Sequence, residues 1–229
     1  MGRKASMTLA IEWGNIHTVF LDMDGTLLDL HFDNYFWLVH LPQHYAEKHD
    51  MDLEHAREAL FERMASVEGS LDWYCLDFWS RELDVDIVAL KREVMHLIDV
   101  HEQVIDFLDA IRAAGKRLVL LTNAHHGSLG LKIEKTGIHG HFDRVISSHD
   151  LKLAKENPGF WESLMKMEPF HPDQAMLIDD SLSVLRNARA FGLAEVIAVR
   201  WPDTQQDERS VDEFPSVRGV GELISSLEA

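Results

Sequence analysis

Asp22 and Asp24 stand two residues apart in Asp22-Met23-Asp24-Gly25-Thr26, directly after the apolar run Val19-Phe20-Leu21. Crowded carboxylates repel, so such a pair suggests a bound cation or a division of work between a nucleophile and an acid. A strand ending in an ordinary Asp-Gly turn has the same appearance. Three further apolar runs end in loaded residues: Leu120-Leu121 runs into Thr122-Asn123, Leu177-Ile178 into Asp179-Asp180-Ser181, and Lys155 follows Val145-Ile146 after a loop. Each alone is common turn or cap chemistry, and Ser181 is placed to cap a helix. Together they describe something narrower. Three or four carboxylates beside one lysine make a hard-oxygen site suited to Mg²⁺. One aspartate is then free to act as nucleophile and a second as general acid and base, while a hydroxyl, an amide and an ammonium hold an anion. That is the equipment for phosphoryl transfer to an aspartate. Phosphate-monoester hydrolysis is among the slowest uncatalysed reactions, so neutralising charge by metal and lysine carries much of the rate.

These residues work only if one framework brings them together. Short apolar runs bounded by turn signals predict buried strands at 17–21, 117–121, 144–146, 175–178 and 196–199. Helices are predicted between them at 104–114, 129–136, 160–167 and 182–191, three of them stopped by Gly115, Gly137 and Gly192. Strands alternating with helices imply right-handed βαβ units and a parallel sheet, a Rossmann-like α/β class with helices on both faces. All the strand ends then lie on one edge, where open α/β sheets bind ligands.

Between the first strand and the rest lies a stretch without strand character. Helices are predicted over 53–66, 71–83 and 87–98, capped by Asp52, Ser70 and Asp86. The division is therefore an α/β core formed by 1–28 and 101–229, interrupted by a helical unit over 29–100. An insertion there sits above Asp22, and a lid is the economical reading. The stretch 203–216 is polar and acidic and reads as surface, and 221–227 as a closing helix.

The chain has 229 residues, enough for one large core with an insertion, and a net charge of −17. Such an acidic balance argues against nucleic-acid polymers and anionic membranes as partners, but not against a small anionic substrate. Cys75 is the one cysteine, so no internal disulfide forms and a reducing, cytoplasmic location is expected. Cys75 itself reads as a packed thiol. The basic start, Met1 to Ser6, is not followed by the apolar stretch of a signal peptide, and no run reaches membrane-spanning length.

Asp22-Met23-Asp24-Gly25-Thr26-Leu27-Leu28-Asp29, Leu121-Thr122-Asn123, Lys155 and Ile178-Asp179-Asp180-Ser181 together resemble the four ordered motifs of the haloacid dehalogenase-like hydrolase superfamily. The helical unit resembles its C1 cap in position. Leu27 to Asp29 through Phe32 to Trp37, Asp72 to Asp77, and Leu121 to His125 look like the bacterial GMP/IMP 5′-nucleotidases of that superfamily. The resemblance implies that Asp22 attacks phosphorus and that Asp24 protonates the leaving alcohol and then deprotonates water. It implies that Thr122 and Asn123 hold phosphoryl oxygens and that Lys155 neutralises charge. Mg²⁺ would be held by Asp22, the Asp24 carbonyl and Asp180, with Asp179 chiefly through water. The common Lys-Pro of the third motif is Lys155-Glu156 here, and Lys152 is a nearby competitor.

The expected substrate is a small phosphorylated metabolite, a purine nucleoside monophosphate, acted on by a monomer or weak homodimer. A phosphosugar or phosphoglycolate phosphatase or mutase is the alternative, and a non-catalytic binding protein a remote one. A haloalkanoic dehalogenase fits worse, since it needs neither the carboxylate of Asp24 nor Mg²⁺. Phe32, Asp33, Asn34 and Trp73 are candidates for substrate choice. His125 and His126 lack the spacing of metal ligands and read as solvated loop residues, and most of the aromatic residues as cap core. Gly127-Ser128-Leu129-Gly130 has the wrong spacing for a dinucleotide loop.

Overall fold

The computed structural model describes residues 11–227; the basic start noted above lies outside them. Six parallel strands form one sheet in the order β3-β2-β1-β4-β5-β6. They are β1 (Thr18–Leu21), β2 (Arg117–Thr122), β3 (Arg144–Ser147), β4 (Ala175–Asp179), β5 (Glu195–Val199) and β6 (Ser216–Val217). Five follow the apolar runs read from sequence. The sixth lies at the end of the polar stretch expected to be surface, where Ala198 pairs with Ser216 and Val199 with Val217.

β1 is central, with Leu21 in register with Leu120 on one side and Ile178 on the other. The alternation of a strand explains the layering. Val19, Leu21, Leu118, Leu120, Met176 and Ile178 join the core on one face, and Phe20, Val119, Leu121 and Leu177 the core on the other. The first face is covered by α7 (Val104–Ala113), α8 (His126–Thr136) and the C-terminal turns that end in α12 (Ile224–Leu227); the second by α10 (Phe160–Met167) and α11 (Leu182–Phe191).

Residues 29–100 are helical among the described elements: α1 (His31–Tyr35), a π turn (Phe36–His40), α2 (Leu41–His49), α3 (Leu53–Ala65), α4 (Leu71–Tyr74), α5 (Leu76–Leu83), α6 (Ile87–Glu93) and a 3₁₀ turn (Met95–Leu97). Entry and exit are adjacent: Asp29 N–H donates to the Asp99 carbonyl at 3.0 Å, and His101 N–H to the Leu27 carbonyl at 2.9 Å. Two side-by-side strands of chain thus connect the helical unit to the sheet.

Three details differ from the sequence reading. The helix expected over 71–83 is two, because Cys75 is extended and its Sγ accepts the Phe78 N–H at 3.4 Å to cap α5. Ser70 and Ser181 cap nothing with their side chains; Ser70 bonds back to the Val67 carbonyl and Ser181 to Ser183. α8 starts at His126, three residues earlier than its apolar periodicity suggests, since the His125 ring accepts the Gly127 N–H.

Candidate active site

The loop after β1 carries Asp22, 5% exposed, and its carboxylate meets Lys155 at 2.5 Å. The same Nζ donates to Asp179 Oδ2 at 2.7 Å and to the Leu121 carbonyl at 3.1 Å. Lys155 therefore joins the ends of β1, β2 and β4. Its burial would favour the neutral amine, but Asp179 and Asp22 outweigh burial and raise its pKa. It is an ammonium throughout the physiological range. Lys152, the sequence competitor, is exposed with a positive φ at the end of α9 (Ser148–Leu151), so the geometry selects Lys155.

Asp22, Asp179 and Asp180 each bring a carboxylate oxygen within 4.8 Å of the others. Burial, opposed by Lys155 and reinforced by Asp179, pushes the Asp22 carboxyl up from 3.8 to about 6. Burial and the charges of Asp179 and Asp22 also raise Asp180 well above the usual carboxylate range, with Arg209 only partly offsetting them. Lys155 is shared by Asp22 and Asp179, and Asp180 has the Arg209 guanidinium at 3.6 Å, so three carboxylates face two cations and leave negative charge that a divalent cation with oxygen preference would neutralise. The donor set fits Mg²⁺.

Gly25 lets the ring of carboxylates close. Its φ is +84°, and a Cβ there would lie 2.8 Å from Pro202 Cβ and 2.9 Å from Asp180 Cγ. Gly25→Ala is expected to cost on the order of 2–3 kcal/mol in denaturant unfolding, from left-handed strain and overpacking together.

Thr122 and Asn123 sit at the end of β2. The Thr122 hydroxyl accepts the Ala124 N–H at 2.9 Å, leaving its own hydrogen to donate. Asn123 is a strut: Oδ1 accepts the Lys155 N–H and Nδ2 donates to Glu156 Oε2, both at 2.9 Å. These bonds hold the Lys155 loop and use one of the two Nδ2 hydrogens, and Asn123 also lines the cavity over the site. Glu156, the residue in place of proline, also accepts from the Tyr74 hydroxyl at 2.9 Å. Burial first, then Glu156, raises the Tyr74 pKa well above the usual phenol value, so it stays a donor. This hydrogen bond ties α4 of the helical unit to the core.

Asp24 lies on the other side of Asp22, in a chain of charges not foreseen from sequence. Lys132 of α8 is 2.6 Å from Asp24 and 2.7 Å from Asp33; Asp33 in turn is 2.6 Å from Lys91 of α6. Burial, against Lys132 and with Asp33 and Asp22, pushes Asp24 from 3.8 to about 6. Burial would raise Asp33 as well, but Lys132 and Lys91 hold it well below the usual carboxylate range. The Lys91 ammonium also lies 4.7 Å from the ring centres of Phe32 and Phe36. Two more supports were missed. Asn187 donates to the carbonyls of Lys155 and Asn157 at 2.7 and 2.9 Å, and Arg209 reaches the Asp180 carbonyl and carboxylate. Arg209 stands in the stretch read as surface, where Asp203 also accepts from Asn34 Nδ2 at 2.6 Å.

A cavity of about 460 Å³ opens above these groups. Its floor is Asp22, Asp24, Thr122, Lys155 and Asp180, and its upper wall is apolar, formed by Trp37, Leu38, Phe61, Met64 and Trp73. Asp33, Asn34 and Trp73, the candidates for substrate choice, line it. Phe32 is 1% exposed beneath the two lysines and lies outside the lining. His125 lines the wall and is half-buried, in contrast to the solvated loop residue expected, whereas His126 is exposed beside Asp150.

The model of the haloacid dehalogenase-like hydrolases matches residues 16–192. The GMP/IMP nucleotidase YrfG of Escherichia coli K12 is 38% identical over 221 residues, covering 96% of this chain and all of that protein. A HAD phosphatase from Thermococcus onnurineus superposes with a TM-score of 0.77 at 23% identity, over 93% of this chain and 98% of that one. The HAD hydrolase YfnB of Bacillus subtilis, solved bound to magnesium, has a TM-score of 0.61 at 16% identity, over 93% and 99%. At these identities both structures speak for the fold alone. Among the described residues no helix is long and apolar enough to cross a membrane.

Proposed function

The chain belongs to the haloacid dehalogenase-like hydrolase family, and from that premise we propose that it is a Mg²⁺-dependent phosphatase of purine nucleoside 5′-monophosphates. The observation that carries the reading is the two-part cavity: an anion-binding floor of carboxylates and one lysine beneath an aromatic and aliphatic wall. A phosphate monoester with a flat, apolar base matches both parts, and such mixed lining is usual for small-molecule sites. The similarity to a GMP/IMP nucleotidase along nearly the whole chain supports this choice of substrate.

Asp22, Asp180 and the Asp24 carbonyl would hold the metal, with Asp179 chiefly through water. When bound, Mg²⁺ supplies charge neutralisation for the phosphoryl group and the carboxylates around it. Asp22 attacks phosphorus, the ester P–O bond breaks, and the leaving alkoxide takes the proton of Asp24. Asp24 then takes a proton from water, which attacks the aspartyl-phosphate. Inorganic phosphate leaves and Asp22 is restored. A carboxyl pushed up to about 6 suits both halves of that task near neutral pH. Lys155 neutralises Asp22 and the incoming phosphate, and the Thr122 hydroxyl donates to a phosphoryl oxygen. Asn123 and Asn187 keep the Lys155 loop in place.

Residues 29–100 act as a cap over this site, and the Tyr74–Glu156 bond is one of its latches. Tyr74→Phe is expected to raise KM several-fold with a smaller change in kcat, read in steady-state kinetics, because a latch contributes to substrate retention more than to chemistry. The proposal itself is tested by phosphate release from a metabolite panel with Mg²⁺. GMP and IMP should be turned over, and release from a phosphosugar with none from either nucleotide would overturn the nucleotide assignment.

A further inference from the structure

A second set of metal-ligating side chains converges where the helical unit meets the sheet edge. Cys75 begins α5, His125 begins α8 and His149 lies in α9. The Cys75 sulfur and one ring nitrogen from each histidine lie within 4.8 Å of one another. The two imidazoles are nearly perpendicular, with centres 4.9 Å apart. His149 Nε2 is buried and has no hydrogen-bond partner. Buried polar atoms are nearly always paired, so this orphan asks for an explanation. Burial, then His125 and His126, push the His149 pKa down to about 4, and burial lowers that of His125 as well. A neutral imidazole is the form that binds metals, and on His125 a metal at Nδ1 would displace the Gly127 N–H that this nitrogen accepts. Asp77 Oδ2 lies 3.6 Å from His125 Nε2 but is exposed and is not one of the converging groups. None of these groups has a part in the hydrolytic scheme.

We propose that Cys75, His125 and His149 form a binding site for a thiolate-preferring divalent transition metal, with Zn²⁺ the best match, that clamps the helical unit onto the core. Two nitrogens and a sulfur are a donor set for Zn²⁺, whereas the hard-oxygen cluster at Asp22 suits Mg²⁺, so the two sites select different ions. Binding moves the Cys75 thiol proton to solvent and joins the resulting thiolate, on the helical unit, to two imidazoles on core segments. Tyr74, the neighbour of Cys75, already bonds to Glu156 of the core. A metal here holds that seam shut and slows exchange of substrate and product. This consequence for turnover rests on the phosphatase reading; the binding itself does not.

The test uses the full-length protein saturated with Mg²⁺. Because Cys75 is the one cysteine in the chain, a thiolate-to-cobalt charge-transfer band on Co²⁺ addition reports this site alone. The band is expected to saturate at one Co²⁺ per chain, to be bleached by Zn²⁺, to vanish in Cys75→Ser and to weaken at least tenfold in affinity in His149→Ala. No band in the parent protein, or a band unaffected by His149→Ala, would overturn the site, whatever substrate the enzyme takes. Zn²⁺ should also lower turnover of the Mg²⁺-loaded enzyme, and Cys75→Ser should need at least tenfold more Zn²⁺ for the same loss while keeping its turnover without zinc. Equal sensitivity of parent and variant would overturn the clamp and locate inhibition at the carboxylate cluster.

Discussion

Asp22→Asn is expected to lose phosphatase activity by a factor on the order of 10³ or more while folding as well as the parent. An amide in this position keeps the shape of the side chain but cannot form the aspartyl-phosphate through which the proposed reaction runs. Folding should not suffer, because the charge removed is one that its surroundings disfavour. Burial pushes the Asp22 carboxyl up to about 6 despite Lys155 at 2.5 Å. Lys155 keeps Asp179 at 2.7 Å, so the substitution leaves the buried ammonium paired. The thermal midpoint in EDTA should therefore equal or exceed that of the parent, and Mg²⁺ should raise it less, since one carboxylate of the cluster is gone. Retained activity would remove Asp22 as nucleophile. A collapse of the midpoint in EDTA would show that its charge is needed for the fold.

The parts of this site that were readable in the sequence are those at the ends of buried strands. Asp22, Thr122 and Asp179 each follow a run of apolar residues, and one parallel register, Leu21 beside Leu120 and Ile178, brings them to a common edge. Lys155 lies on a loop, and the sequence leaves Lys152 as a competitor, which the structure places on the surface. The supporting charges were hidden for a physical reason. Lys132 and Lys91 occupy the buried faces of α8 and α6, where periodicity calls for apolar residues; Lys91 follows Ile87 and Leu90 at the spacing of one helical stripe. A lysine in an apolar stripe signals a buried partner, but the sequence does not say which carboxylate it meets. Arg209 offered no such sign: its stretch is mostly polar, and it reaches Asp180 because its N–H bonds to the Arg200 carbonyl and its guanidinium to the Val199 carbonyl at the end of β5, a pairing no local pattern announces. Glu156 marked itself as a departure from the expected proline. The structure supplies its use, accepting from Asn123 on the core and Tyr74 on the helical unit at once. Cys75 and His125 were read as packing and solvated loop respectively, because the residues that converge with them, including His149, are distant in sequence.

Lys132→Met is expected to impair stability and catalysis together, and a second substitution separates the two. Lys132 is 1% exposed and is the ammonium shared by Asp24 and Asp33. Removing one partner of a buried ion pair typically costs about 3–5 kcal/mol, because the charge left behind is neither paired nor hydrated. Asp33 keeps Lys91, but Asp24 keeps no cation of its own. With its anchor gone, the proposed proton-transfer group is free to shift by about 1 Å, which is enough to cost about 10²-fold in rate. Adding Asp24→Asn removes the one stranded carboxylate and leaves the Asp33–Lys91 pair intact, so the double variant should recover a good part of the lost stability in denaturant unfolding. Its kcat should match that of Asp24→Asn alone, because Lys132 acts on the rate through Asp24. Lys132→Arg should rescue poorly, since a planar guanidinium has to enter a site shaped for a compact ammonium between two carboxylates and the Phe32 ring. If the double variant were much slower than Asp24→Asn alone, Lys132 would not act on the rate through Asp24. If the two rates matched while the fold recovered, Lys132 would be the residue that positions Asp24 and, through Asp33 and Lys91, makes the acid–base group sensitive to how the helical unit sits on the core.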